Sequence, residues 1–247
     1  MTPGDAALLS VAGVAAGIVN AIAGGGTLLT FPAFLAAGLP PVVANATNTV
    51  ALCPGQIASV FAYRTHLADE RRRALALAVP SLLGGLGGAL LLVKLPEATF
   101  EAVVPWLIVF ACGVLALQDP IKRFALYARF GNHPAVLWIT QLLISIYGGY
   151  FGAGIGILML AAMGILLPSS LQHANALKVL FSTLINGVAA VYFLAAGHTS
   201  LAEATLVAVA GVVGGFSGAH LAQRLPPRGM RLFAIAVGLF AAGKLLL

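Results

Sequence analysis

A row of polar side chains interrupts one of the most apolar parts of the chain. This downstream row consists of Gln172, Asn175, Lys178, Ser182 and Asn186. The spacings of three, three, four and four residues place the row on one face of a helix. Its amides and hydroxyl can donate hydrogen bonds, and its lysine adds a positive charge. These groups are suited to binding a small anion.

A second polar row lies 130 residues earlier in the chain. This upstream row consists of Asn45, Asn48, Gln56, Ser59 and Tyr63, with Leu52 filling the gap in the face. The offset pairs Asn45 with Asn175, Asn48 with Lys178, and Gln56 with Asn186. A polar stripe in a bilayer must face protein or a watery cavity, because lipid cannot form its hydrogen bonds.

The lysine is the most costly member of either row. A lysine near the centre of a membrane helix costs about 2.5–3.5 kcal/mol, and none of the chain's acidic residues lies deep in an apolar block. A structural alternative is that Lys178 extends to the membrane surface. Amides and serines can also hold helices together, at about 0.6 kcal/mol each. We expect Lys178 to bind substrate, with Asn175 and Asn45 donating hydrogen bonds and Asn48, Gln56, Ser182 and Asn186 lining the same site.

Glycines break two apolar blocks that are too long to cross a membrane once. Residues 6–39 and 134–167 would each form a helix of about 51 Å, against a hydrocarbon core of about 30 Å. A helix that restarts after a break presents N–H groups and a positive dipole end, which favour an anion. The predicted binding residues at the breaks are Gly24, Gly25, Gly26 and Thr27 in the first block and Gly152, Gly154 and Gly156 in the second. Close helix packing is an alternative role for glycine, particularly for residues 84–88 and 214–218.

The same offset aligns longer segments of the two halves. "LGGLGGALLLVKLP" (83–96) matches "VGGFSGAHLAQRLP" (213–226) without a gap, including the prolines and a basic residue. This indicates an internal duplication, a common plan of secondary transporters. We predict a first transmembrane repeat over 1–118, a basic cytoplasmic linker over 119–133 and a second repeat over 134–247.

Composition places the chain in a membrane. It is 60% hydrophobic and 8% charged, with a mean hydropathy of +1.02, whereas soluble domains carry roughly 25% charged residues. The net charge of +6 forms no long basic stripe, so a nucleic-acid partner is not expected. Cys53 and Cys112 show no ligand spacing, and the histidines at 133, 198 and 220 are not clustered. No metal, cofactor or catalytic residue is predicted, and no signal peptide is recognised before the first apolar block.

Basic loops predict how the halves are oriented. Three such loops contain Arg64, Arg71, Arg72 and Arg73; Lys122, Arg123 and Arg129; and Arg224, Arg228 and Arg231. All three reach the cytoplasm only if the block 134–167 folds back at its glycines. We therefore predict an all-α polytopic membrane protein with two homologous, inverted halves and both chain ends outside. Each half opens with a glycine-broken hairpin or a re-entrant helix pair.

The segment "GIVNAIAGGGTLLTFPAFLAAGLPPVVANATNTVALCPG" (17–55) and its repeated counterpart "GGYFGAGIGILMLAAMGILLPSSLQHANALKV" resemble the sulfite exporter TauE/SafE family. The shared features are the glycine-rich break, the following Pro32 and the "AN" pair of each half. The resemblance implies a carrier of the bacterial inner membrane that exports sulfite, sulfoacetate or a related anion. By motif position it points to residues 24–26, Asn45 and Asn175.

The leading hypothesis is therefore a secondary transporter that exports a small anion, with the lipid bilayer and the anion as its partners. A homo-oligomer is also compatible with the sequence. An anion or water channel with the same polar lining is the alternative. An intramembrane enzyme acting on lipid or thiol substrates ranks last, because the rows pair no nucleophile with a base.

Overall fold

Prolines set where several helices begin. A computed structural model describes residues 1–22, 25–127, 134–167, 171–221 and 227–246, and within these ranges it contains twelve helices and no strand. Pro41, Pro134 and Pro227 each begin a helix, because a residue without an N–H leaves no donor unpaired there. The helices are α1 (Pro3–Ile22), α2 (Thr27–Ala36), α3 (Pro41–Ala62), α4 (Arg64–Asp69), α5 (Arg71–Lys94), α6 (Glu97–Ala116), α7 (Gln118–Tyr127), α8 (Pro134–Tyr150), α9 (Ile155–Leu166), α10 (Leu171–Ala195), α11 (Leu201–Leu221) and α12 (Pro227–Leu246).

The helix boundaries repeat with the offset seen in the sequence. Apart from the short α4 and α7, the helices form two sets of five in the same order. Equivalent boundaries lie 130 residues apart: α3 and α10 begin at 41 and 171, α5 and α11 at 71 and 201, and α6 and α12 span 97–116 and 227–246. This recurrence supports the internal duplication.

The first two helices of each set form a hairpin broken at glycine. The backbone N–H of Gly26 donates to Asn20 Oδ1 at 2.8 Å, so the chain turns back along α1 before α2 starts. At the second break, the Tyr147 hydroxyl donates to the Ala153 carbonyl at 2.5 Å. With 10 and 12 residues, α2 and α9 are about 15–18 Å long, roughly half of the hydrocarbon core. The expected glycine-broken hairpin is thus present in each set.

Equivalent helices of the two sets run antiparallel where they meet. Cys112 of α6 lies 3.8 Å (Sγ to O) from Ile235 of α12. Asp119, just after α6, pairs at 2.9 Å with Arg231 in the first part of α12. α3 and α10 also meet in opposite directions, as described below. Such contacts support the inversion of the halves.

Glycines bring helices from different sets into backbone contact. A methyl group added at Gly17 of α1 would lie 2.2 Å from the Gly211 carbonyl oxygen of α11. One added at Gly88 of α5 would lie 2.1 Å from the Ile146 carbonyl oxygen of α8. Gly214 is equally close to Val14. Close packing, the alternative role of these glycines, is therefore observed at Gly88 and Gly214, whereas a methyl group at Gly87 or Gly215 would meet no atom within 4 Å.

The outer surface of the bundle is suited to lipid. Among the described residues, four helical segments are long and apolar enough to cross a membrane: Pro3–Asn20, Arg71–Lys94, Glu97–Ala116 and His173–Ala195. Large apolar side chains such as Trp106, Phe216 and Phe240 are 63–75% exposed, which is unfavourable in water and acceptable in hydrocarbon. The protein is thus a multi-pass membrane protein.

Candidate functional site

The two polar rows face each other inside the bundle. Asn186 Nδ2 of α10 donates to Gln56 Oε1 of α3 at 2.9 Å. The Thr183 hydroxyl lies 2.8 Å from the Val179 carbonyl oxygen of its own helix and 3.3 Å from the Gln56 carbonyl oxygen, and it can donate to either. Further along, Asn175 Nδ2 donates to the Tyr63 hydroxyl at 2.6 Å. Residue numbers rise on α3 as they fall on α10, so the helices are antiparallel. At these positions the polar side chains of each row face the other helix.

Gln56 and Asn186 mark the symmetry axis that relates the two sets. Each is the counterpart of the other at the offset of 130, and a residue can touch its own counterpart only close to such an axis. The same holds for Ile108 and Gly238, because a methyl group at Gly238 would lie 3.5 Å from Ile108 Cγ2. For inverted repeats the axis lies in the membrane plane.

Lys178 lies beside the start of a broken helix. A methyl group at Gly156 would lie 3.4 Å from Cδ of Lys178 and 3.9 Å from its Cε. Gly156 is the second residue of α9, so the lysine stem packs over the first turn of that helix. The helix N-terminus carries a partial positive charge. A half-buried lysine and a positive helix end thus share one region, which favours an anion between or beside them.

The glycines of the breaks adopt backbone conformations that other residues rarely take. Gly154 caps α9 with φ +76°, and Gly25 precedes α2 with φ +93°. A side chain at either position is strained by about 1–2 kcal/mol whatever the ligand does. The two breaks lie along one part of α6, since methyl groups at Gly25 and Gly154 would contact Leu115 and Val114. Gly152 (φ +79°) lies near the axis, with a methyl group there 3.7 Å from Asn186 Oδ1.

The upstream asparagines lie at the other end of the polar rows. Asn45 is 1% exposed and its Nδ2 donates to the Tyr150 carbonyl, the last residue of α8, at 2.9 Å. Its Oδ1 is buried without a hydrogen-bond partner among the described residues. Asn48 is 2% exposed and accepts a hydrogen bond from the Thr30 hydroxyl of α2. Thr27 begins α2 and is half-buried.

The structure does not bring Asn45 to Lys178 and Asn175. Tyr63, which holds Asn175, follows Asn45 by 18 residues on α3, or about 27 Å along the helix. Lys178 is eight residues from Asn186, so it lies about 12 Å from the axis rather than midway between the halves. The structure therefore does not gather the residues expected from the sequence into one place. When a symmetry axis crosses two paired helices, equivalent residues lie on opposite sides of the axis. Only residues next to the axis contact their own counterparts.

The remaining residues predicted from the sequence do not lie together. Ser182 contacts Met159 Sδ at 3.8 Å, so it packs α10 against α9. Gly24 and the side chain of Gln172 lie outside the described part of the structure. Sequence reasoning did not assign Tyr63, Thr183 or Thr30 to the site. Tyr63 had a signal, because it ends the upstream row, whereas nothing in the spacing singled out the two threonines.

Comparisons with known proteins identify the family of the chain. The sequence profile described as "Sulfite exporter TauE/SafE" matches residues 9–245. A "Probable membrane transporter protein" of Haemophilus influenzae is 30% identical over 182 residues, covering 70% of this chain and 69% of that protein. The "Probable membrane transporter protein YfcA" of Escherichia coli K12 is 29% identical over 211 residues, covering 85% and 76%. No solved structure matches. The relatives' names indicate a transporter rather than an enzyme, and the family match spans nearly the whole chain: the protein is a membrane transporter that belongs to the sulfite exporter TauE/SafE family.

Proposed function

We propose that this transporter is a secondary carrier that exports a small anion across the bacterial inner membrane. Sulfite or a sulfur-containing organic anion such as sulfoacetate is the favoured class. The observation that carries the proposal is the position of Lys178 over the first turn of α9. Sulfite and carboxylate oxygens accept hydrogen bonds and carry negative charge, so the ammonium group, the helix end and Asn175 form a matched set of partners.

The distribution of charge supports inverted halves with one basic side. α5 begins and α6 ends on the same side, because each helix is long enough to cross the membrane and only residues 95–96 separate them. The Arg231–Asp119 ion pair holds the start of α12 to that side as well. The described basic residues of the three basic loops therefore share one side, namely Arg64, Arg71, Arg72, Arg73, Arg123, Arg228 and Arg231.

The opposite side carries most of the acidic residues. The starts of α3 and α11 lie together, since the backbone N–H of Ser200 donates to Thr47 Oγ1 at 3.0 Å. α1 runs parallel to α11, because Gly13 meets residue 210 and Gly17 meets residue 214. Asp5, Glu97, Glu101 and Glu203 consequently lie on this side. By the positive-inside rule the basic side is cytoplasmic, which places Lys178 in the cytoplasmic half of the pathway.

This placement fits export. The arginine-rich side raises the local concentration of anions, and Lys178 lies between that side and the axis. The inside-negative potential then favours outward movement by roughly 2.3 kcal/mol per charge per 100 mV. Potential alone can therefore drive export of a monovalent anion.

The test is flux in proteoliposomes that contain the purified protein. Sulfite, thiosulfate, sulfoacetate and sulfate are compared with an imposed potential of either sign. A carrier gives saturable flux and counter-flow of labelled anion, whereas a channel with the same polar lining gives flux without counter-flow. Absence of potential-dependent flux for all four anions would refute the proposal.

A further inference from the structure

Tyr63 directly follows α3 and makes the outermost of the described hydrogen bonds between the polar rows. Its hydroxyl accepts from Asn175 at 2.6 Å, and both residues are half-buried. Its ring lies 6.2 Å from that of His66 in α4, which in turn lies 5.7 Å from the ring of His173. His173 also contacts Asp69 at 3.4 Å. The end of α3, α4 and the start of α10 are thus joined by side chains on the basic side.

Lys178 lies on the part of α10 between two contacts with the end of α3 and its middle. Asn175 precedes Lys178 by three residues on α10, and Asn186 follows it by eight. Lys178 therefore lies in the interval between two hydrogen bonds that tie α10 to α3, one at the Tyr63 end and one at the axis. An anion that moves along the rows from the basic side meets the Tyr63–Asn175 bond before it reaches Lys178.

The second half has no equivalent arrangement. The counterpart of Tyr63 is Phe193, which is fully buried and cannot donate a hydrogen bond. The counterpart of Asn175 is Asn45, which donates to a main-chain carbonyl instead. The counterpart of Lys178 is Asn48, which is bonded to Thr30. The tyrosine hydroxyl and the lysine therefore occur together on one side only.

We propose that Tyr63 closes the Lys178 site on the basic side and that its hydroxyl donates a hydrogen bond to the bound oxyanion when its bond to Asn175 opens. A phenol hydroxyl both accepts and donates, so the oxygen that accepts from Asn175 also carries a proton that an anion can take as a hydrogen bond. Asn175 Nδ2, released at the same moment, supplies a second donor. This role rests on the anion-transport function proposed above and adds a binding residue to it.

The binding test uses purified, folded protein and sulfite as the probe. Tyr63→Phe keeps the ring and removes only the hydroxyl. We expect Kd to rise about tenfold, the loss typical of a hydrogen bond to a charged group. Tyr192→Phe is the matched control, because it makes the same change on α10 and lies 14 residues beyond Lys178, about 21 Å along the helix. Its Kd should not change.

Closure is measured separately by thiol labelling. A Ser182→Cys variant, with Cys53 and Cys112 replaced by alanine, reports access to α10 one turn beyond Lys178. Adding Tyr63→Phe should raise the rate of maleimide labelling from the basic side several-fold, and sulfite should slow it.

The outcomes separate the two proposals. If the wild-type protein neither binds nor transports any of the four anions, the proposed function fails and this inference fails with it. If the wild type binds sulfite while Tyr63→Phe binds it equally tightly, the inference alone is overturned. Unchanged labelling in Tyr63→Phe overturns the closing role.

Discussion

Replacing Lys178 by methionine tests the anion site directly. Methionine retains three side-chain atoms beyond Cβ, which can follow the lysine stem over Gly156, where a methyl group would lie 3.4 Å from Cδ. Only the ammonium group is lost. The first turn of α9 keeps its shape and its positive end.

The expected loss can be estimated from the charges. Two unit charges about 4 Å apart interact by about 4 kcal/mol at an effective dielectric constant of about 20. Part of this is offset, because the lysine and the anion both leave water. A net loss of about 1.5–3 kcal/mol remains, as for a hydrogen bond to a charged group, and this corresponds to roughly 10- to 150-fold in Kd. Binding should weaken rather than vanish, because the α9 end still attracts the anion.

The assay is equilibrium binding of sulfite to purified protein, followed by flux in proteoliposomes. Lys178→Met should insert at least as well as the wild type, since the cost of placing a lysine in the membrane is removed. Lys244→Met is the matched control: it removes a lysine charge from α12, where Nζ lies 5.5 Å from the Phe240 ring centre. If Lys178→Met keeps the wild-type Kd and flux, Lys178 extends to the interface and the electrostatic reasoning is wrong.

Further predictions concern the glycines, the axis and the topology. Gly156→Leu should displace the lysine stem and weaken sulfite binding without backbone strain. Gly154→Ala should also lower the thermal midpoint of unfolding, because residue 154 has a φ of +76°. Equal thermal midpoints for the two variants would contradict this. Lys178→Arg should bind sulfite little better than Lys178→Met, since a planar guanidinium group replaces a compact ammonium group. Binding equal to that of the wild type would show that the positive charge alone suffices. Gln56→Ala and Asn186→Ala should be non-additive in stability, with a coupling of about 0.5–1.5 kcal/mol; additive effects would mean that the bond is absent in the membrane. A C-terminal fusion reporter should be active outside the cytoplasm, and activity confined to the cytoplasm would exclude the proposed orientation.

Much of the scaffold could be predicted because prolines and glycines mark helix ends independently of partners. The offset that aligns residues 83–96 with 213–226 also aligns helix starts at 41 and 171 and at 97 and 227. The glycine-broken hairpins follow from length alone, since neither long apolar block can cross once.

The site was predicted less well, because a polar face shows direction around a helix but not position along it. Asn45 and Asn175 occupy equivalent places, and equivalence suggested a shared ligand. In the structure, Asn45 and Asn175 lie on opposite sides of the symmetry axis. Gln56 and Asn186 lie beside the axis, and Asn186 Nδ2 donates to Gln56 Oε1 at 2.9 Å. The Tyr63–Asn175 bond joins residues 112 apart, and no local spacing signals such a pair.

The contact of α1 with α11 has a consequence for how the protein is made. About 180 residues separate the end of α1 from the start of α11, which corresponds to about 10–35 s of synthesis. During that interval the glycine-lined face of α1, with Gly13 and Gly17, lies in lipid without its partner. Hydrocarbon tolerates this, because lipid tails are as apolar as the partner helix. Insertion must therefore precede packing, and neither half of the chain, released alone, could complete its own bundle.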